Sequence, residues 1–530
     1  MNKERIIPEV ISIVGGLVIF WILYLFCLPV IKIGAVSMLV YFGLSLLIVT
    51  FTVNILSYDY LDCSPIISYI IGCATLIIGM LLALISSPLF NAYVYHTSFE
   101  VVQAEEDAPI NIPTIDDISN ISLMDTNSAM KLGDRTLGSL SEYVSQYKVS
   151  DRYYTISYQG KIMKIAPLEY DGFFRFFKAI NNDSIPGYVL VDPNTNEAKL
   201  VKVEKGIKYS PSDYFSQDLY RHVYTAYPSE YFGDYSFQLD EEGNPYWVYT
   251  LLQARTVSGC KTPYGCIIID AVTGSMTKYD DLDEIPVWVE LVFTGERVES
   301  LYNRYGSYIN GFWNFSNKGV TATTEDYGYL QFNEDIYIYT GVTSAGADES
   351  NLGFILVNSR TGDCIYYPIA GAEEYSSMSA AEGLVQNYGY EASFPSLVLV
   401  EEEPTYVLVL KDANGLVKQY SMVNYKNYSI AVVADTLEDC QKEYAKALAG
   451  KTIEEIDPAK TVTESFIIDE IEYITIEGNT ICYIKSGDKC FKQSFAENEE
   501  LILLKVGNEV YIQYQQSEYS IIPIVNIERN

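Results

Sequence analysis

Residues 187–197 read GYVLVDPNTNE, residues 265–275 read GCIIIDAVTGS and residues 353–363 read GFILVNSRTGD. Each is a glycine, a short apolar run that suits a strand, an Asp or Asn, and a Thr three residues further on. Asp192/Thr195, Asp270/Thr273 and Asn358/Thr361 are therefore equivalent pairs. An Asp or Asn side chain accepts hydrogen bonds from backbone N–H groups two or three residues on, and Gly274 or Gly362 supplies the positive φ that closes such a turn. The expectation is a set of equivalent strand-to-turn corners without metal. Calcium is the rival, because Asp192, Asn194 and Asn196 alternate as at the start of an EF-hand loop. Glu197, however, stands where that loop needs Gly, and no bidentate Glu closes it.

Working outward, the same order surrounds each corner: a helical segment, a hairpin, then the apolar strand. One copy has Gln217–Tyr227 as helix, and Tyr235–Asp240 and Tyr246–Leu251 flanking the turn DEEGNP before Ile267–Asp270. The next has a helix within Thr294–Tyr308, N-capped by Thr294, and strands about Tyr329–Thr340. A last copy uses Ala380–Tyr388 as helix and Ser393–Val400, Tyr406–Leu410 and Leu416–Met422 as strands around the KDANG turn. The first is expected on Leu137–Tyr147 and YYTISYQGKIMKIA. Four such units over 131–435 give an α+β fold, each burying a helix on a small antiparallel sheet.

This order, with a strand ending in D-x-x-T-G, resembles the PepSY domain. The strings KLGDRTLGSLSEYVSQY, LDEEGNPYWVYTLLQ, YTGVTSAGADESNLGFILVNSRTG and PTYVLVLKDANGLVKQYSMVN are similar to a group of membrane proteins of Gram-positive anaerobes, over roughly residues 86–440. The resemblance implies inhibition, chaperoning or protein contact in the cell envelope rather than catalysis, and it carries no functional residue across. Asn196 replaces the pattern's Gly in the first copy and Asn358 its Asp in the third.

Residues 1–90 read as a membrane anchor. Val10–Val30, Ala35–Leu56 and Ile66–Ile85 run 21, 22 and 20 residues without an ionisable Asp, Glu, Lys, Arg or His, long enough at 1.5 Å per residue for three transmembrane helices. Retention of the first run is favoured over a cleaved signal by its length. Lys3 and Arg5 precede it, Lys32 stands alone after it, and the second connection, Tyr58–Ser64, holds Asp59 and Asp62 without a base. That balance puts the N-terminus in the cytoplasm and everything after Phe90 outside. Bare spans argue against a conduction pathway. Ser68, Gly72, Thr75, Gly79 and Ala83 form a small-residue face on the third span, read first as packing among the spans and second as a dimer face. Residues 91–130, with Glu105, Glu106, Asp107, Pro109, Pro113, Asp116 and Asp117, read as an acidic linker. Residues 436–460 read as a helix (Leu437–Leu448) and linker, and 461–530 as about five short strands suiting a small β-barrel of the OB or SH3-like kind.

Little here points to chemistry. A formal charge of −34, from 35 Lys+Arg against 69 Asp+Glu, excludes a nucleic-acid surface. There is no G-x-S-x-G, H-E-x-x-H, P-loop or G-x-G-x-x-G. The only histidines, His96 and His222, are too few for a His-based zinc site, and His222 beside Arg221 reads as a packed or surface helix residue. The acidic clusters Asp280–Glu284, Asp240–Glu242 and Glu401–Glu403 fall at turns, where solvated charge is the default, although two carboxylates are all that a glycosidase needs. Forty of 47 Tyr lie beyond residue 100 and suit sheet packing first, peptide or glycan contact second. The expectation is no catalytic, metal or cofactor residue, and hence a non-catalytic envelope protein held to lipid by its spans and contacting a protein or glycan. A cell-wall polymer enzyme or binder and a membrane-tethered sensor are the alternatives. Cys260 with Cys266 and Cys482 with Cys490 bracket presumed turns, so disulfides are expected there, against reduced thiols as the rival.

Overall fold

The computed structural model describes residues 3–56, 66–105, 110, 112–115, 122–140, 142–179, 184–324, 326–332, 335–344, 351–413, 415–451, 461–476, 479–487, 489–494, 498–515 and 522–529. It is a mixed α and β chain in two compact units, 1–440 and 441–530. The first unit begins with helices Lys3–Cys27, Val36–Leu56 and Ile66–Ile85. Val36–Ile55 and Ile66–Ile85 are long and apolar enough to cross a membrane, and the first helix is apolar over Val14–Cys27. The small-residue face serves packing between neighbours: Leu47 lies over Gly72 and Leu76 over Gly43, so a Cβ on either glycine would strike the other helix. The connection carrying Asp59, Asp62 and Cys63 lies outside the described residues.

Among the described residues four sheets follow, antiparallel apart from one parallel pairing in the third, each entered through a helix. Helix Thr126–Gly138 precedes the sheet of 147–207, Leu219–Ala226 that of 231–279, Gly295–Ser307 that of 321–367 and Glu374–Leu384 that of 391–434. The second and third lie close to where the periodicity puts them, and the fourth starts six residues earlier than the expected Ala380. The first departs from the expected Leu137–Tyr147, because its buried positions are small (Ser128, Ala129, Gly133) and leave little apolar signal. Asp125, Asp218 and Thr294 cap three of these helices by accepting from the N–H of Ser128, Arg221 and Arg297 at 2.7, 2.8 and 3.3 Å.

Why the repeated strands are apolar at every position follows from their layers. In the second sheet Trp247, Tyr249, Ile267 and Ile269 face a core shared with the first sheet, while Val248, Cys266 and Ile268 face one shared with the third. In the third sheet Ile338, Ile355 and Val357 face back to the second, and Tyr339, Phe354 and Leu356 face on to the fourth. A strand buried on both faces loses the alternation that marks a half-exposed one. The last three helices fill the spaces between successive sheets, with Leu219 and Val223 in the first interval, Val298 and Leu301 in the second, and Ala381 with the following Val385 in the third.

The corners share their hydrogen bonds. Oδ1 of Asp192 accepts from the N–H of Asn194 and Thr195 at 2.9 and 3.1 Å, Asp270 from Val272 and Thr273 at 2.8 and 3.0 Å, and Asn358 from Arg360 and Thr361 at 2.9 and 3.1 Å. Residues 196, 274 and 362 all take positive φ, 57°, 75° and 82°. The likeness extends further in the second and third copies. The carbonyl after the corner residue, Ala271 or Ser359, accepts two N–H groups from the segment that enters the same copy's own helix, Lys208 and Tyr209 or Val292 and Phe293. Gly274 and Gly362 lie under the rings of Tyr209 and Phe293. At the head of each strand, a Cβ on Gly187, Gly265 or Gly353 would strike the carbonyl oxygen of Val201, Tyr279 or Tyr367 on the neighbouring strand.

The acidic linker is not a free stalk where it is described. Helix Pro88–His96 follows helix Ile66–Ile85, Phe99 enters the core between the second and third sheets, and strand Val101–Gln103 pairs in parallel with Cys364–Tyr366. Ile115 donates its N–H to Leu399, and Ile112, Leu123 and Met124 are buried. The apolar residues responsible are too few and too scattered to show a period. Glu106, Asp107, Pro109, Asp116 and Asp117 lie outside the described residues, as do Asp457 and Pro458.

The second unit contains one six-stranded sheet, Thr461–Ile467, Glu509–Gln515, Ile522–Arg529, Lys489–Ser494, Asn479–Ser486 and Glu470–Ile476 in spatial order. Its core holds Ile484, Phe491, Val510 and Ile512. The disulfide expectation fails. Cys260, Cys266, Cys482 and Cys490 are free thiols. KTPYG is strand rather than turn, so Cys260 and Cys266 lie along one extended segment, about 20 Å apart at 3.3 Å per residue. Across the SGD hairpin Cys482 pairs with Gln493 and Cys490 with Lys485, a register that sets the two sulfurs apart.

Candidate interaction surface

The sequence's acidic clusters are placed where turns need them. Asp240 accepts from the N–H and side-chain amide of Asn244 at 2.7 and 2.8 Å. Glu401 and Glu402, both at positive φ, close the hairpin between Ser396–Val400 and Glu403–Lys411, and Glu403 pairs with Lys426 at 3.0 Å. Asp281 accepts from Asp283, and Asp280 pairs with Lys278 at 2.7 Å. Asp280, Asp281 and Asp283 do meet Asp363, Arg255 and Tyr264 around an open groove of about 440 Å³. Among the described residues, no group of three His, Cys, Asp or Glu is arranged to hold a metal.

Both histidines meet a backbone carbonyl through one ring nitrogen. His222 stacks on Tyr209 and its Nε2 meets the carbonyl of Gly274 at 2.8 Å. His96 stacks on Tyr305 and its Nδ1 meets that residue's carbonyl at 2.8 Å.

Three buried carboxyls escaped the sequence reading. Burial pushes Glu290 and Asp213 up to about 8 and Glu374 up to about 7. Glu290 accepts the N–H of Ser157, donates its own N–H to Gln238 and accepts the Ser359 hydroxyl at its carbonyl, tying the first three sheets together. Glu374 accepts the N–H of Gly341 at 2.8 Å, while its second oxygen is buried without a hydrogen-bond partner. Glu290 had a local signal, a lone charge in VWVELVF. Glu374, in a polar helix start, had none.

A different surface stands out by its chemistry. The short helix Phe173–Ala179 reads FFRFFKA and packs beside Tyr214 and Phe215. Phe173 meets Tyr214 at 5.1 Å, Phe177 at 6.0 Å and Phe215 at 6.4 Å between ring centres, with Phe176 buried beneath. The outward rings are far from covered, Phe174 being 86% and Phe177 60% exposed. Phe215 is held at φ +60°, a conformation that costs a bulky residue about 1–3 kcal/mol. The shelf sits on the one basic part of the folded region: residues 131–210 carry 12 Lys+Arg against 9 Asp+Glu, whereas 211–435 carry 11 against 31.

A second feature is the junction between the apolar helices and the sheets. Tyr224 donates to the carbonyl of Pro29 at 2.6 Å, Arg221 to that of Leu25 at 2.7 Å, and Ile31 to that of Pro228 at 2.7 Å. At the other end, Tyr95 donates to the carbonyl of Ser86 at 3.0 Å and Ser258 to the Ser86 hydroxyl at 3.1 Å. The end of the first helix and the end of the third thus meet the same face of the folded region. No protein-family model matches the chain, and comparison with curated proteins gives no match either.

Proposed function

We propose that this is a non-catalytic, membrane-anchored protein whose PepSY-like helix-and-sheet modules lie outside the cytoplasm and bind another envelope protein. The observation that carries the binding role is the Phe173–Phe177 shelf with Tyr214 and Phe215: a contiguous exposed aromatic patch on a folded domain is a contact surface. Lys178 and the positive balance of residues 131–210 suit a partner with an acidic rim, Arg175 being paired with Asp171. The junction supports three spans. With the ends of the first and third helices at the folded region, the antiparallel second helix returns the chain and sets Lys3 and Leu56, at the other ends of the first and second helices, away from it. The C-terminal sheet is read as a small barrel-like accessory domain.

A photo-crosslinking residue at position 174, compared with one at position 241 in an exposed turn, tests this. The expected result is a discrete protein adduct from 174 alone, lost when Phe177→Ser is added. The same diffuse pattern from both positions, or no protein adduct from 174, contradicts it. A second reading, binding of cell-wall polymer, is favoured by the groove at Asp280–Asp283 and Tyr264. It predicts that Asp281→Asn with Asp363→Asn weakens retention on purified cell wall, which the first reading does not.

A further inference from the structure

We propose that helix Pro88–His96 and the loop 309–320 form an aromatic belt seated in the lipid headgroup region beside the end of the third span. The inference rests on reading the apolar helices as membrane spans. The helix begins three residues after Ile85, the last residue of Ile66–Ile85, contains no charged Asp, Glu, Lys or Arg, and is kinked at Asn91, where φ is −129°. Its Phe90 and Tyr93, on either side of the kink, are 64% and 77% exposed. The loop continues from helix Gly295–Ser307 and leaves Phe312, Trp313 and Phe315 uncovered, Trp313 at 67% and Phe315 at 82%. These rings pack on one another, Phe312 against Trp313 at 5.3 Å and Trp313 against Phe315 at 5.7 Å.

The two pieces are joined, and joined to the span. Tyr95 donates to Ser86 at the span's end and meets the ring of Tyr308 at 5.8 Å, immediately before the loop. His96 stacks on Tyr305 one turn earlier. The loop therefore starts within two side-chain contacts of the point where the chain leaves the third helix.

Its shape does not depend on its rings. The side chains of Asn310 and Asn314 both donate to the carbonyl of Lys318, at 2.6 and 3.0 Å, and Gly311 and Val320 make backbone turns on Tyr308 and Asn317. Polar bonds close the loop and leave the aromatics outside. In a chain with 69 Asp+Glu, residues 300–324 contain none, while Lys318 supplies positive charge suited to an anionic leaflet. Trp and Tyr favour the membrane–water boundary because one end of each ring is apolar and the other accepts or donates hydrogen bonds. A rigid, acid-free loop of aromatics at a span's end has that chemistry.

Tryptophan quenching in liposomes of phosphatidylcholine and phosphatidylglycerol, brominated near the top of the acyl chain, tests the belt on the full-length protein. The signal of Trp313 is the difference between the unaltered chain and Trp313→Phe. Trp21, in the first helix, gives a separate signal by difference with Trp21→Phe. The proposal expects Trp313 to lose most of its emission to the brominated lipid and to resist aqueous iodide, with Phe312→Ser/Phe315→Ser weakening the lipid effect at an unchanged melting temperature. If Trp21 is quenched by lipid while Trp313 answers only to iodide, the belt is overturned and the spans stand. If neither is quenched by lipid, the membrane reading fails and the belt with it.

Discussion

Asp270 accepts two backbone N–H groups through one oxygen, and Asn358 does the same with an amide oxygen in the next copy. The charge is therefore dispensable and the acceptor is not. Asp270→Asn is predicted to leave thermal stability nearly unchanged, whereas Asp270→Ala lowers it by about 1 kcal/mol through the lost turn bonds. Melting curves with and without calcium check both values, and a large calcium-dependent rise abolished by Asp270→Ala would reveal a metal site instead. These corners were readable because an Asx turn is local: Asp270, Thr273 and Gly274 carry the whole instruction within five residues. The cysteines show the opposite case, since a disulfide depends on register. Cys482 opposite Gln493 rather than Cys490 cannot be read from the spacing of the two cysteines. Alkylation of the natively isolated protein without reductant should now label both Cys482 and Cys490 after unfolding. A peptide joining them would contradict the register.

At the scale of elements, the start of helix Glu374–Leu384 makes a pH-dependent contribution. Glu374 lies among Tyr339, Tyr406 and Tyr425, with Glu373 beside it, and burial raises its carboxyl from 4.5 to about 7. The folded state then holds a proton that the unfolded chain releases. Stability is fully present below about pH 4.5 and is lost as pH climbs through about 7. Glu290, raised to about 8, acts in the same direction. Glu374→Gln keeps an acceptor for Gly341 and cannot ionise, so it should stabilise the chain at about pH 8 by roughly 2 kcal/mol and change little near pH 5. Urea midpoints at the two pH values decide it, and an equal shift at both would remove the ionisation argument. The helix itself was legible from composition but placed six residues late, because Glu374, Ser377 and Ala381 make a buried face that is not conspicuously apolar. The strand Val101–Gln103 was missed for a similar reason: its partner, Cys364–Tyr366, is more than 260 residues away.

Across the molecule, both the layer order and the surface follow from patterns with different legibility. Continuous apolar runs such as CIIID announced buried strands, but which sheet each face met depended on contacts no window of sequence contains. The aromatic shelf escaped the sequence reading although FFRFF is a conspicuous run, because its meaning rests on exposure and Phe176 in the same run is buried. Charge divides the folded region into a basic first part and an acidic remainder, and the apolar helices stand apart from both. The central claim is that three spans hold this folded region outside the cytoplasm, and protease added to intact protoplasts tests it most directly. The account predicts rapid loss of the fragment after Phe90 while an N-terminal tag stays protected. Survival of that fragment until the membrane is lysed would contradict it.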